Sequence, residues 1–172
     1  MKNKYEIRGD ITVVFLQCKN GKILETTIDT VDLPLANSLS GTWFAGCDSR
    51  HNGDYYVVMN IQRVSRSLSR LLLNAPQGHV VDHKSRDTLD NRRCNIRLAT
   101  IAENGQNRKL SKNSKTGING VYYDKDEKGW RVDIRVGEKR FNKRFKVFRD
   151  AEHFSIQVRK ENMPFSQDAM GM

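Results

Sequence analysis

The first half of the chain alternates apolar and polar residues in short runs, the period of half-buried β-strands. "EIRGDITVVFL" and "ILETTID" read as strands on either side of "QCKNGK", whose Asn20-Gly21 pair favours a hairpin turn because both residues tolerate positive φ. "TWFAGCD" and "YYVVMNI" read as a second pair around "SRHNGD", and "DLPLANSL" between the pairs reads as a short helix with Thr30 or Asp32 near its start. From Ser65 the period changes. Leu68, Leu71 and Leu72 in "SRSLSRLLLN" recur at helical spacing, and this helix stops at Asn74, before Pro76.

A strand, loop, strand, helix pattern follows. "HVVDH" is β-branched and short, "DTLDNRR" is rich in turn formers, and "NIRLAT" alternates as a second strand. Thr100 and Glu103 in "TIAE" are spaced as a capping box, which starts a helix at about Ile101 and puts Asn104 in its first turn. In the last third, "GINGVYYDKDEKGWRVDIRVGEKRFNKRFKVF" divides into three β-like runs at the turns "DKDEKG" and "VGEK". "RDAEHFSIQVRKEN" then has a helical pattern with Asp150 as a candidate cap. The expected fold class is α+β: a β-rich N-terminal part over residues 1–64, a central core over 65–110, a basic linker over 111–118, and a C-terminal three-stranded antiparallel sheet packed on one helix over 119–172.

Composition narrows what such a chain can do. Its 37% hydrophobic and 29% charged residues suit a globular protein, and its longest apolar run, "ITVVFL", is far too short to span a bilayer. "MKNKYEIRGD" has no apolar signal region, so a cytoplasmic location is expected and no membrane partner. Three cysteines, Cys18, Cys47 and Cys94, are too few and too scattered for a disulfide framework or a Cys-x-x-Cys zinc site and are expected as reduced packing residues. Thirty Lys and Arg against twenty Asp and Glu leave a net charge of +10. The pI is near 9.7, which creates a field that attracts polyanions. The excess is largest in the last third, with 14 basic and 9 acidic residues over 111–172. Double-stranded DNA becomes the expected partner.

Against that background the central motif acquires a chemistry. Breaking a phosphodiester needs charge neutralised on the phosphoryl oxygens and a base that makes water nucleophilic near neutral pH. Asp82 offers a hard carboxylate oxygen and Asn104 an amide oxygen, a sparse donor set that suits one Mg²⁺ or Mn²⁺ per site, with water and phosphate completing the shell. His83, with an ordinary pKa of about 6.5, is the candidate general base. Neighbours on a regular strand face opposite ways, so Asp82 and His83 can serve one site only where the strand ends or twists strongly. The polar run "KSRD" after His83 marks such an end.

Asp82-His83, eleven residues, Asn95, eight residues and Asn104, set in that context, resemble the HNH endonuclease family with its ββα-metal fold. The likeness covers roughly residues 71–108, and "VVDHKSRDTLDNRRCNIRLATIAENGQNR" looks most like HNH homing endonucleases of phages and mobile introns. The resemblance implies His83 as general base, Asp82 and Asn104 as metal ligands, and Asn95 as the middle motif residue that braces the two strands and orients the histidine. Asn107 either touches a phosphate or lies on the helix surface, and His79 has no assigned role. One such site cuts one strand, so the enzyme would act as a monomer that nicks or a homodimer on DNA. The alternative is a DNA-binding regulator without nuclease activity.

The C-terminal pattern, Gly120-Val121, Trp130-Arg131, Ile134 and a basic strand ending in Phe145 and Phe148, resembles the DNA-binding domain of APETALA2/ethylene-response factors, although that family's paired helix alanines are not matched by "AEHFSI". A β-sheet of this size can enter the major groove, where each base pair is distinguishable. Arg131, Arg135, Arg140 and Arg144 are the candidate DNA-facing residues, with Lys143 on phosphate, while Val132, Ile134 and Val136 pack inward by alternation. Trp130, which begins the second strand of this sheet, either packs in the core, the commoner place for such a residue, or stacks on sugar or base.

Overall fold

The computed structural model describes residues 1–18, 21–47, 54–110 and 113–169. The chain divides into two compact units, Met1–Thr100 and Ile101–Met172. The fold is α+β, built from small antiparallel sheets and short helices.

In the first unit β1 (Tyr5–Arg8), β2 (Ile11–Gln17) and β3 (Ile23–Asp29) form one antiparallel sheet in that order. The run "EIRGDITVVFL", continuous in its alternation, breaks into two strands at Gly9-Asp10, where Gly9 takes φ 64° and lets the chain reverse in two residues. The Asn20 turn and the "SRHNGD" loop lie in part outside the described residues. A 3₁₀ turn over Thr30–Asp32 leads into α1 (Leu33–Asn37), with Pro34 in its first turn, where a missing N–H costs nothing. A second sheet follows, β4 (Phe44–Cys47), β5 (Tyr55–Ile61) and β6 (Val64–Ser67). The helix expected from Ser65 is shorter at its start: residues 64–67 pair with β5, and α2 spans Leu68–Leu72. Strand pairing wins there because Gln62 and Arg63, both at positive φ, close a tight hairpin ahead of it.

β7 (Val80–His83) and β8 (Ile96–Ala99) form a two-stranded ribbon, with Asp82 opposite Arg97 and His83 opposite Ile96. Two strands alone are barely stable in water. This pair is held because Ile96 enters the core of the unit with Val14, Leu16, Ile28, Trp43, Met59, Leu68 and Leu72, and Val81 and Leu89 pack against it. Each such fully buried side chain contributes about 1.5–3 kcal/mol. Trp43 is completely buried, its indole Nε1–H donating to the Ala36 carbonyl at 3.2 Å. The β-rich N-terminal region and the motif ribbon therefore share one core. The three thiols are unbridged, and Cys47 and Cys94 lie exposed rather than packed.

The second unit begins with α3 (Ile101–Gln106), starting where the sequence expects it. β9 (Val121–Asp124), β10 (Gly129–Val136) and β11 (Lys139–Phe145) form an antiparallel sheet with β10 central, and α4 (Phe148–Asn162) packs on it. Val121, Val132, Ile134, Ala151, Val158 and Met163 form its core, with Trp130, Phe145, Phe148 and Phe154 against it. Ala151 and Ser155, four residues apart and fully buried, give α4 a small-residue face toward the sheet. The helix starts at Phe148, so Asp150 lies inside the first turn rather than capping it. No helix among the described residues is long and apolar enough to cross a membrane.

Candidate functional site

The ribbon ends where chemistry-bearing residues gather. β7 stops at His83, and the chain turns at once: Arg86 donates its N–H to the His83 carbonyl at 2.9 Å and takes φ 63°. The loop from 84 to 95 is tied at its mouth by Asn95, which is 6% exposed. Its Oδ1 accepts the Ser85 N–H at 2.8 Å, and its Nδ2 donates to the carbonyls of Asp90 at 2.7 Å and Asp87 at 3.3 Å. The Asn95 carbonyl in turn accepts from the Lys84 N–H at 2.8 Å. A short amide is suited to this place because it offers donors and acceptor together.

The loop is also docked on the free edge of β3. Thr27 donates its N–H to the Leu89 carbonyl at 3.1 Å, and its own carbonyl accepts the Asn91 N–H at 2.8 Å, so residues 89–91 run beside β3 as a short parallel bridge. Side chains reinforce the edge: Thr26 Oγ1 donates to the Leu89 carbonyl at 2.6 Å and Thr27 Oγ1 to Asp90 Oδ1 at 3.1 Å. Arg93 closes the far side, its N–H on Asp29 Oδ2 at 2.7 Å and its guanidinium on buried Asp32 at 2.7 and 2.9 Å. Edge backbone groups left bare would invite foreign pairing, and here they hold the 84–95 loop.

His83 is 6% exposed and Asp82 4%. The ring Nε2 of His83 lies 3.3 Å from Asn91 Oδ1, and Tyr56 meets the ring edge-on with centroids 6.5 Å apart. Burial pushes the imidazole pKa below its ordinary value; the Asn91 bond and the charges of Asp82, Asp87 and Asp90 oppose that shift without cancelling it. Burial thus favours the uncharged ring. Asp82 accepts from Nε of its cross-strand partner Arg97 at 2.7 Å, an ion pair in which the carboxylate is buried. His83 is the last residue of β7; its ring meets Asn91 of the loop, while the Asp82 carboxylate is taken by Arg97 of β8.

Among the described residues no group of three or more His, Cys, Asp or Glu side chains converges as a metal cage. The donor chemistry nonetheless fits a hydrated Mg²⁺ or Mn²⁺, which takes one or two hard oxygen ligands from protein and keeps the rest of its shell as water and phosphate. Asp82 carries such an oxygen, here ion-paired with Arg97. Asn104 lies in α3, in the second unit, and is exposed.

Within that second unit the sequence candidates separate. Pairing of Arg131 with Arg144 and of Arg135 with Arg140 puts all four arginines on one face of the sheet, with Asp133 and Asn142 between them. Arg140 grips Asp133 through two bonds of 2.9 and 2.7 Å, Arg131 reaches Asp124 at 3.4 Å, and Arg144 pairs with Glu127. Lys143 lies on the opposite face, its ammonium over the Phe145 and Phe154 rings at 5.4 and 5.1 Å. Asn107 is buried, accepting the Gln167 N–H at 3.3 Å, while Gln106 Oε1 accepts the Phe165 N–H at 3.2 Å. His79 is exposed, and Trp130 packs edge-on against Tyr123 and Phe148.

Sequence reasoning did not single out Asn91, Thr26, Tyr56 or Arg97. Arg97 had a local signal, since alternation puts it across the ribbon from Asp82. Asn91 had none, because its partner Thr26 is 65 residues away.

Comparison with known proteins agrees with the motif. A family model described as HNH endonuclease matches residues 74–106. The chain is 28% identical over 86 residues to Protein 3.8 of Escherichia phage T7, an overlap covering 50% of this chain and 71% of that protein. No solved structure matches. The match at 74–106 marks a nuclease-type segment that contains Asp82, His83, Asn95 and Asn104.

Proposed function

We propose that the chain is a metal-dependent endonuclease that hydrolyses phosphodiester bonds in duplex DNA, with His83 as general base. The observation that carries this reading is the buried imidazole of His83 at the end of β7, held by Asn91 and next in the chain to the buried carboxylate of Asp82. His83 takes a proton from the attacking water, Asn95 keeps the loop closed beneath it, and Asp82 and Asn104 are the residues that would hold a divalent ion. When bound, that ion supplies the charge neutralisation a phosphoryl centre needs. Asn104 joins the set by motif spacing, and the family resemblance implies ends with a 3′-hydroxyl and a 5′-phosphate. One site cuts one strand, as a monomer or in a homodimer on DNA.

The C-terminal unit is the proposed duplex-binding module: its sheet carries four arginines on one face, and the basic excess of residues 111–172 supports attraction to phosphate. Arg131, Arg135, Arg140 and Arg144 share that face. Lys143 sits at the rim of the other, and Asn107 acts from inside by fixing the end of α3. A homing role follows from the resemblance alone.

The test is nicking of supercoiled plasmid at low salt with Mn²⁺, wild type beside His83→Ala, with chelator as control. Nicking that needs the metal and vanishes in the variant is the expected result. A variant that cuts at the wild-type rate would remove His83 as the base, and metal-independent cutting would remove the ion.

A further inference from the structure

One side chain of the loop passes between the N-terminal sheet and the imidazole. Asn91 is 2% exposed, with Oδ1 3.3 Å from His83 Nε2 and Nδ2 3.0 Å from Thr26 Oγ1. Proton counting fixes the direction of each bond. The Thr26 hydroxyl has one proton and gives it to the Leu89 carbonyl at 2.6 Å, so toward Asn91 it can only accept. Asn91 must therefore turn its NH₂ to Thr26, with the same group 3.5 Å from the Leu89 carbonyl, and its carbonyl oxygen to the ring. An amide oxygen only accepts, so in the neutral imidazole the proton sits on Nε2 and the lone pair on Nδ1.

We infer that Asn91, held by Thr26 of β3, is a positioning residue for the reaction: it fixes the His83 ring in the Nε2–H tautomer and leaves Nδ1 as the proton acceptor. This rests on the reading of His83 as general base. The geometry also gives the N-terminal sheet a task, since the Thr27 carbonyl holds the Asn91 backbone at 2.8 Å and the Thr26 hydroxyl holds its side chain. A ring free to exchange tautomers would offer the wrong nitrogen to water for part of the time.

The experiment follows the tautomer directly in the full chain. Histidine ring ¹⁵N spectra are recorded at about pH 7.5, above the ordinary imidazole pKa of about 6.5, with His83 assigned by loss of its signal in His83→Ala. Wild type is expected to show the Nε2–H pattern, and Asn91→Leu to lose that preference. Plasmid nicking by Asn91→Leu should fall on the order of 10- to 100-fold in kcat with KM unchanged, as for other groups that orient a functional histidine. Thr26→Val preserves shape in case Asn91→Leu fails to fold; it should shift the tautomer the same way, and Thr26→Ser, which keeps the acceptor, should restore it. A His83 ring that keeps the Nε2–H form in Thr26→Val and in a folded Asn91→Leu overturns the inference, as does a wild-type ring protonated on Nδ1. A wild-type chain that nicks nothing overturns the nuclease reading instead, and the spectra still decide whether Asn91 orders the ring.

Discussion

Asn95→Ala should open the loop under His83 without unfolding the protein. The amide makes two sound bonds, to the Ser85 N–H at 2.8 Å and the Asp90 carbonyl at 2.7 Å, and a longer one to the Asp87 carbonyl at 3.3 Å. A net 0.5–1.5 kcal/mol for each would total roughly 3 kcal/mol, but Ser85 and Asp87 are exposed and water can replace part of what they lose. The expected cost is therefore about 2 kcal/mol, which raises the open population roughly 30-fold. Native-state hydrogen exchange reads this residue by residue. The amides of Ser85 and Asn91 should exchange about 30-fold faster, while those of β2 and β3 paired with each other keep their wild-type rates. Loop amides that remain at wild-type protection would refute the bracing role. A uniform acceleration of every amide would instead mean that Asn95 supports the whole unit. Asn95→Asp sharpens the test: it keeps the acceptor for Ser85 but turns two donors into repulsion against carbonyls, so it should open the loop at least as far as alanine does.

Other expectations bear on stability and binding. Arg92 holds Asp90 through bonds of 2.8 and 2.7 Å and keeps its pKa below the ordinary range. That contribution is complete above the unfolded carboxylate pKa of about 3.9 and is lost as pH falls through the lowered folded value. Asp90→Asn should therefore flatten the acid end of urea midpoints below about pH 4, and an unchanged acid limb would count against the pair. Asp133→Asn frees Arg140 from a two-point pair and should strengthen duplex binding, with the salt slope steeper by about 0.9 per added phosphate contact; weaker binding would mean that Asp133 orients Arg140 for DNA. Arg135→Ala should cost about 1–3 kcal/mol of affinity where it reads a base, and unchanged affinity would remove this face from the duplex. Gly120→Ala should destabilise the second unit, since φ is +73° and a Cβ would stand 2.7 Å from the Asp133 carbonyl. The backbone conformation alone costs about 1–2 kcal/mol, and an unchanged melt followed by Trp130 fluorescence would contradict that close approach.

Local chemistry made much of this protein legible from residues alone. Strand period, the Thr100-Glu103 spacing and the turn residues set the order of elements, because side-chain direction and backbone preference act over a few residues. Alternation along β10 likewise put Arg131 and Arg135 on one face, and cross-strand register added Arg140 and Arg144. The spacing of Asp82, His83, Asn95 and Asn104 marked the segment that the HNH endonuclease family model also matches. Lys143 needed register and packing together: its ring contacts come from β11 and α4, so only the assembled unit places the ammonium over Phe154.

Tertiary structure alone decided what surrounds the histidine. Asn91 and Thr26 meet across 65 residues, and Arg93 finds Asp32 across 61, separations over which no periodic pattern carries information. Those contacts exist because one apolar core holds β3 and the ribbon together, and buried polar groups there need partners within reach. The sequence thus wrote the histidine and its motif, while folding supplied the neighbours that surround it.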